Sequence, residues 1–225
     1  MPSLRLLAGA IAVALIAVSA PASPKFLGIV TQASDANLGT GPVSEGASVY
    51  DGDRLSTDGD GALTFRGGST MLYLARGSRM TVHSHPNNAA GTQVNLSAGT
   101  LVFTASEAGA FQVSADSATI RPAADTKTVG QITVIDPKTL YVYARQGTLS
   151  FFYEDETDVI PEGKSYKIML DPPDDTTAKP GDPMPPPGAS QNHRHRGFLF
   201  VLLGVGAAIG SIIKKFDNIE SPDHP

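Results

Sequence analysis

Short runs that alternate apolar and polar positions fill the middle of the chain, each closed by glycine, asparagine or aspartate. Ala62-Leu63-Thr64-Phe65 is followed by Gly67-Gly68, then Thr70-Met71-Leu72-Tyr73-Leu74, then Gly77 and Arg79-Met80-Thr81-Val82-His83. Gln93-Val94-Asn95-Leu96 and Thr100-Leu101-Val102-Phe103 stand on either side of Gly99. The signature returns at 111–113, 118–120, 131–135, 140–143, 149–152 and 166–169. β-Branched and aromatic runs of period two, recurring at roughly 8–12 residues between turn residues, are strand signals. No window in this stretch carries the i, i+3, i+4 stripe of an amphipathic helix. The pattern predicts one all-β domain of many short antiparallel strands, as a jelly roll or other sandwich or a short β-solenoid.

The two ends follow a different pattern. A basic start at Arg5, an apolar run from Leu6 to Val18 and the small-residue stretch Ala20-Pro21-Ala22 match a secretory signal peptide over 1–22. The run is 13 residues long, short for a span and suited to a signal core; an uncleaved anchor is the other reading. Gly197 to Ile213 is uncharged over 17 residues, fenced by Arg194, His195 and Arg196 before it and Lys214 and Lys215 after it. As a helix it reaches roughly 26 Å against a hydrocarbon core of roughly 30 Å. Snorkelling by the flanking cations makes up the difference. Phe198 to Leu203 are apolar on every helical face, so the expectation is a transmembrane helix over 197–213 with a cytoplasmic tail over 214–225. Gly206 and Gly210 form a GxxxG pair that permits self-association.

Between domain and helix, the stretch 171–196 holds Pro172, Pro173, Pro180, Pro183 and Pro185-Pro186-Pro187, with Met184 as its one large apolar residue. It cannot bury a core and reads as an extended linker that lifts the domain from the membrane. The β domain then occupies 25–170, 146 residues, enough for a sizeable core. Net charge is −5, and −6 once Arg5 leaves with the signal segment. Such a chain is a poor match for nucleic acid, where Lys and Arg must replace counterions. It contains no cysteine, which excludes disulfides, thiol chemistry and a lipidated cysteine anchor.

An ordered set of motifs is similar to the FecR domain family. Gly28-Ile29-Val30 precedes Gly52-Asp53-Arg54-Leu55-Ser56-Thr57, in the manner of that family's glycine-valine strand and "GD-x-L-x-T" turn. Leu63 to Ser69, Met71 to Leu74, Gly77 to Met80, Leu96 to Leu101 and Phe111 to Val113 continue it. Val142 to Leu149 and Ile160 to Tyr166 close it, and the likeness covers about 145 residues. The resemblance implies an extracytoplasmic β domain; the family's best-understood members pass a siderophore-uptake signal to a cytoplasmic sigma factor. Two departures separate this chain from the iron-dicitrate regulators. It opens on a signal-peptide pattern instead of a cytoplasmic anti-sigma segment, and Pro122-Ala123-Ala124-Asp125 replaces a glycine-threonine turn.

Candidate chemistry is sparse. Asp51-Gly52-Asp53 and Asp58-Gly59-Asp60-Gly61 offer carboxylates for calcium but miss the EF-hand template, and Arg54 would repel a cation. Asp-Gly pairs are favoured hairpin turns, so turns are expected there. His83 and His85 would share a strand face, a spacing able to hold zinc, but no third ligand is near in sequence. His193 and His195, interleaved with Arg194 and Arg196, read as a basic collar near the membrane. Glu154, Asp155, Glu156 and Asp158 read as a solvated loop, and no serine stands in a nucleophile elbow. Tyr141, Tyr143 and Tyr153 serve either a ligand-contacting face or a second core layer. No catalytic, cofactor-binding or metal residue is assigned.

The expectation is a non-enzymatic binding or scaffolding module of the bacterial cell envelope, membrane-held with its β domain periplasmic. Its partner would be an envelope protein or a surface polysaccharide. The alternative is a transmembrane sensor of FecR type.

Overall fold

The computed structural model describes residues 24–85, 91–171, 193–194 and 197–203. These residues form sixteen strands and one turn of 3-10 helix, Ala108–Ala110. The first six strands are β1 (Phe26–Leu38), β2 (Gly41–Pro42), β3 (Ser48–Tyr50), β4 (Arg54–Gly67), β5 (Thr70–Leu74) and β6 (Arg79–Ser84). Next come β7 (Thr92–Ala105), β8 (Phe111–Ala115), β9 (Ala118–Pro122), β10 (Thr128–Asp136) and β11 (Thr139–Gln146). The last are β12 (Leu149–Tyr153), β13 (Glu156–Ile160), β14 (Ser165–Leu170), β15 (His193–Arg194) and β16 (Phe198–Leu202). The all-β expectation holds for the described residues.

Three strands are long, and two of them change partners midway. The first half of β7 pairs with β6 over Thr92 to Ala98, and its second half pairs with β5 and β10 over Gly99 to Ala105. Left straight, Thr92 and Phe103 would stand roughly 36 Å apart. Phe111 pairs with Thr92, yet its ring centroid lies 4.6 Å from that of Phe103. The strand therefore folds back on itself, and Gly99, at φ 81°, lies where the partners change. The same bend explains the one parallel pairing among the described residues, β7 with β8, a departure from the expected all-antiparallel sheet. A parallel crossover ordinarily needs a dozen residues or more. Here 106–110 suffice, because the end of β7 already lies over its own beginning.

β4 switches in a similar way, from β6 at Arg54 to Ser56 to β5 at Leu63 to Gly67. Asp58 to Gly61, expected as a turn, lie inside this strand. Opposite them β1 offers a single residue, Asp35, since Ala36 faces Thr57 and Ser34 faces Ala62. A bulge of this kind increases local twist and lets one strand serve two sheets. The result is a sandwich made from one hydrogen-bonded sheet folded over. Layer A holds the start of β4, β6, the first half of β7, β8, β9, β12 and β13. Layer B holds the end of β4, β5, the second half of β7, β10, β11, β14, β16 and β15.

Alternate residues of both layers point into one core. Val94, Val113, Ile120 and Phe151 of layer A meet Phe65, Leu72, Phe103, Ile132 and Ile168 of layer B, all of them fully buried. Each such side chain contributes about 1.5–3 kcal/mol through burial.

The described part of the C-terminal apolar run is a strand, which corrects the expectation of a helix beginning there. β16 pairs with β14 from Leu170↔Phe198 to Tyr166↔Leu202. Phe198 and Phe200 point inward and meet the ring of Phe151, on the opposite layer, at 5.0 and 5.2 Å. An apolar run with large residues on both faces suits a covered strand as well as a buried helix, and periodicity alone does not separate them. Among the described residues, no helix is long and apolar enough to cross a membrane. Residues 204–213, including Gly206 and Gly210, and the tail 214–225 lie outside the described residues.

The expected linker is corrected at both of its ends. His193–Arg194 form β15 against β16, and the Asp171 N–H donates to the Gly197 carbonyl at 2.8 Å. The chain thus returns to the strand it left, and the domain extends past Leu170 to at least Leu203. Residues 172–192, His195 and Arg196 lie outside the described residues, as does the segment 1–22 expected as a signal peptide.

Candidate binding surface

The structure brings the two metal-like motifs together, and the result is a structural clasp. The Asp51 carboxylate stands 3.1 Å from Nδ1 of His83 and accepts from the Ser84 backbone N–H at 3.3 Å and the Ser84 hydroxyl at 3.1 Å. Partial burial pushes the Asp51 carboxyl up, but these hydrogen bonds and the nearby His83 outweigh it and hold the group below its ordinary value. Asp53 accepts from the Tyr50 N–H at 2.7 Å, which closes the Asp51–Gly52 turn. The Asp51 carboxylate thus fixes β3 against β6, and that of Asp53 fixes the turn itself. Among the described residues, no group of three or more His, Asp or Glu is placed to hold a metal.

The acidic stretch is a hairpin and not a loop, which corrects its reading. Tyr153 pairs with Glu156, and Glu154–Asp155 form the two-residue turn, with Glu154 at φ 51°. Glu156 accepts from the Gly197 N–H at 3.4 Å, joining this hairpin to the entry of β16. The tyrosines divide between the two roles left open for them. Tyr153 is core: burial first, then a hydrogen bond to Asp171 and neighbouring negative charges, pushes its hydroxyl up to about 12. Tyr141 and Tyr143 are half-buried on the outer face of layer B, opposite Thr133 and Gln131.

Two concave regions lie away from these motifs. The first is a groove of about 530 Å³ at the bend of β7. Asn95 to Ala98 form one wall, the Val134 to Pro137 end of β10 forms the other, and Asp116 sits at the β8–β9 turn. It exists because layer A and layer B part company here. β8 stops pairing with β7 at Asn95, and β10 begins at Gly99. Among the described residues, Leu96, Ser97 and Ala98 consequently have no ladder partner on that side of β7. Ile135 is 49% exposed beside this open edge, and the acidic residues Asp116 and Asp136 line the groove, Asp136 also accepting from the Lys138 N–H at 2.9 Å. The second region is a smaller cleft of about 320 Å³ at one end of layer B, lined by Arg66, Thr104 and Lys127 among others.

Sequence reasoning did not single out either region. The groove depends on where two ladders end, which no local pattern announces. Its one sequence signal is Gly99, set between two apolar runs without the two-residue turn that would make them a hairpin.

No family model and no curated protein matches the chain in sequence. Among solved structures it is similar to two crystal structures, at 2.50 and 1.65 Å resolution, of a "putative anti-sigma factor" from Parabacteroides distasonis ATCC 8503. Each match has a TM-score of 0.44 and 12% sequence identity, and covers 52% of this chain and 54% of that one. The chain thus spans about half the length of that protein.

Proposed function

We propose that this protein is an exported, non-enzymatic binding module of the cell envelope, which holds an extended segment of a partner protein in the groove at the bend of β7. The observation that carries this reading is the open edge at Leu96 to Ala98, bordered by exposed Ile135. A free strand edge inside a groove of this size offers backbone hydrogen bonds to an extended peptide, and the walls select its side chains. Ile135 favours an apolar side chain, and Asp116 with Asp136 favours a cationic one. Export rests on the signal-peptide pattern over 1–22. With β16 in the sheet, the apolar residues left are Leu203 to Ile213, roughly 16 Å as a helix, about half of a span. The reading therefore keeps export and leaves out the spanning helix.

The test is photo-crosslinking in intact cells of the producing organism, with a photoreactive residue placed at Ile135 and, as control, at Val159, which is equally exposed. The reading expects one discrete adduct at Ile135, none at Val159, and its loss when Asp116 and Asp136 are both changed to Lys. Equal labelling at both positions, or an Ile135 adduct indifferent to the charge reversal, would refute it.

A further inference from the structure

The groove at the bend of β7 has a match for its chemistry within this chain. Its open edge runs from Leu96 to Ala98, about 10 Å of strand. A guest of only a few residues therefore fits, with an apolar side chain for Ile135 and a cation for Asp116 and Asp136. Outside the described residues, an apolar β-branched side chain adjoins a cation at one place, Ile212-Ile213-Lys214-Lys215. The stretch 172–192 has Met184 as its one large apolar residue, and 86–90 has none. The run 211–215 joins both preferences of the groove in a few residues, and isoleucine favours the extended strand that an edge accepts.

The ladders decide which copy can supply it. Phe200 of β16 lies level with Gly99, through Ile168, Leu140 and Val134. Leu202 lies level with Leu101, through Tyr166, Val142 and Ile132. The groove lies on the other side of Gly99, along Leu96 to Ala98, so β16 runs away from it. It does so four strands from β7, roughly 19 Å across the sheet. To fill its own groove, the chain after Leu203 would have to reverse direction and cross the face of layer B. A neighbouring copy has no such constraint, and two copies can exchange the segment reciprocally, which closes a symmetric pair. With the groove holding an extended peptide, as proposed above, we propose that this peptide is residues 211–215 of a second copy, with its lysines against Asp116 and Asp136. Each exchange uses a short edge, and two acting together hold more tightly than one.

The test uses the purified full chain with a photoreactive residue at Ile135, and follows its association by analytical ultracentrifugation. A dimer that grows with concentration is expected, with an Ile135 adduct of twice the chain mass that maps to 211–215. Changing Lys214 and Lys215 together to Glu should weaken the dimer about tenfold or more. Adding Asp116→Lys and Asp136→Lys to that variant should restore it, which simple misfolding would not allow. An adduct of single-chain mass would mean that the segment folds onto its own groove, and would overturn the second copy. So would a monomer at every concentration, an adduct mapping outside 211–215, or a dimer indifferent to the charge changes. If the purified chain stays monomeric while Ile135 in cells joins a different protein, the self-pairing fails and the groove reading stands. If Ile135 yields no adduct in either setting, both fail.

Discussion

Glycine and aspartate mark both the places where the sheet bends between layers and the hairpin turns at its rim, but they act under different constraints. At the bend, Gly99 combines φ 81° with close approach, for a Cβ there would run into the side chain and backbone of Ser78. Ser78 is itself fully buried and ties three segments together. Its N–H donates to Thr57 Oγ1 at 3.0 Å, its carbonyl accepts from the Thr57 N–H at 3.0 Å, and its Oγ accepts from the Thr100 N–H at 2.8 Å. Gly61 is held in a similar way, against the Asp35 carbonyl. At the rim, Gly52 has φ 87° and open space where a Cβ would go. Glu154 adopts φ 51° without being glycine at all. The bends are fixed by packing and buried hydrogen bonds, whereas the rim turns need only the right backbone angle. The groove at Leu96 to Ala98 is a product of the first kind of constraint.

Substitutions should separate the two classes. The largest loss is expected for Gly99→Val, which adds a β-branched side chain at positive φ against Ser78. It should cost about 4 kcal/mol or more, enough to unfold a marginal domain, in urea denaturation. Ser78→Ala strips the acceptor from the Thr100 N–H and should cost about 2 kcal/mol in the same assay. Glu154→Gly at the rim should stabilise by up to about 1 kcal/mol, because glycine adopts the left-handed region without the Cβ penalty. A destabilising Glu154→Gly would mean that the rim is as constrained as the bend.

The smallest effect belongs to Asp51. Its carboxyl titrates below the unfolded value of 3.8, so its contribution to stability is complete above that pH. The contribution disappears as pH falls through the folded-state value. Asp51 is over a third exposed, so solvent screening keeps the contribution under about 1 kcal/mol. Asp51→Asn should therefore be slightly less stable than the unaltered chain at neutral pH and equal to it in strong acid. A gap that widened on acidification would reverse the sign of this account.

Much of the strand pattern was legible in the sequence. Thr70–Leu74 was read to the residue, and the runs at 79–83, 118–120 and 149–152 all fall in strands. Alternation reports which face is buried, and that is decided locally. The failures share one cause, that the decisive partner lies far away in sequence. Gly99 was read as a break between two strands, because nothing near it shows that β7 continues into a second sheet. Asp58 to Gly61 look like a turn until Asp35, 23 residues before Asp58, is seen opposite them. Phe198 and Phe200 look like lipid-facing residues until Phe151 and Tyr166 supply their contacts. Neither concave region was legible, since the groove is bounded by ladder ends and the cleft by residues of β4, β5 and β7 that only the fold brings together.

The bend of β7 underlies the layers, the parallel pairing and the proposed groove, and one contact tests it. In the full chain, labelled at its phenylalanines, a nuclear Overhauser cross-peak should join the ring protons of Phe103 and Phe111, whose centroids are 4.6 Å apart. It should appear together with contacts between Thr92 and Phe111 across the parallel ladder. If Thr92 touches Phe111 while the two rings show no cross-peak, β7 runs straight and the sheet does not fold over.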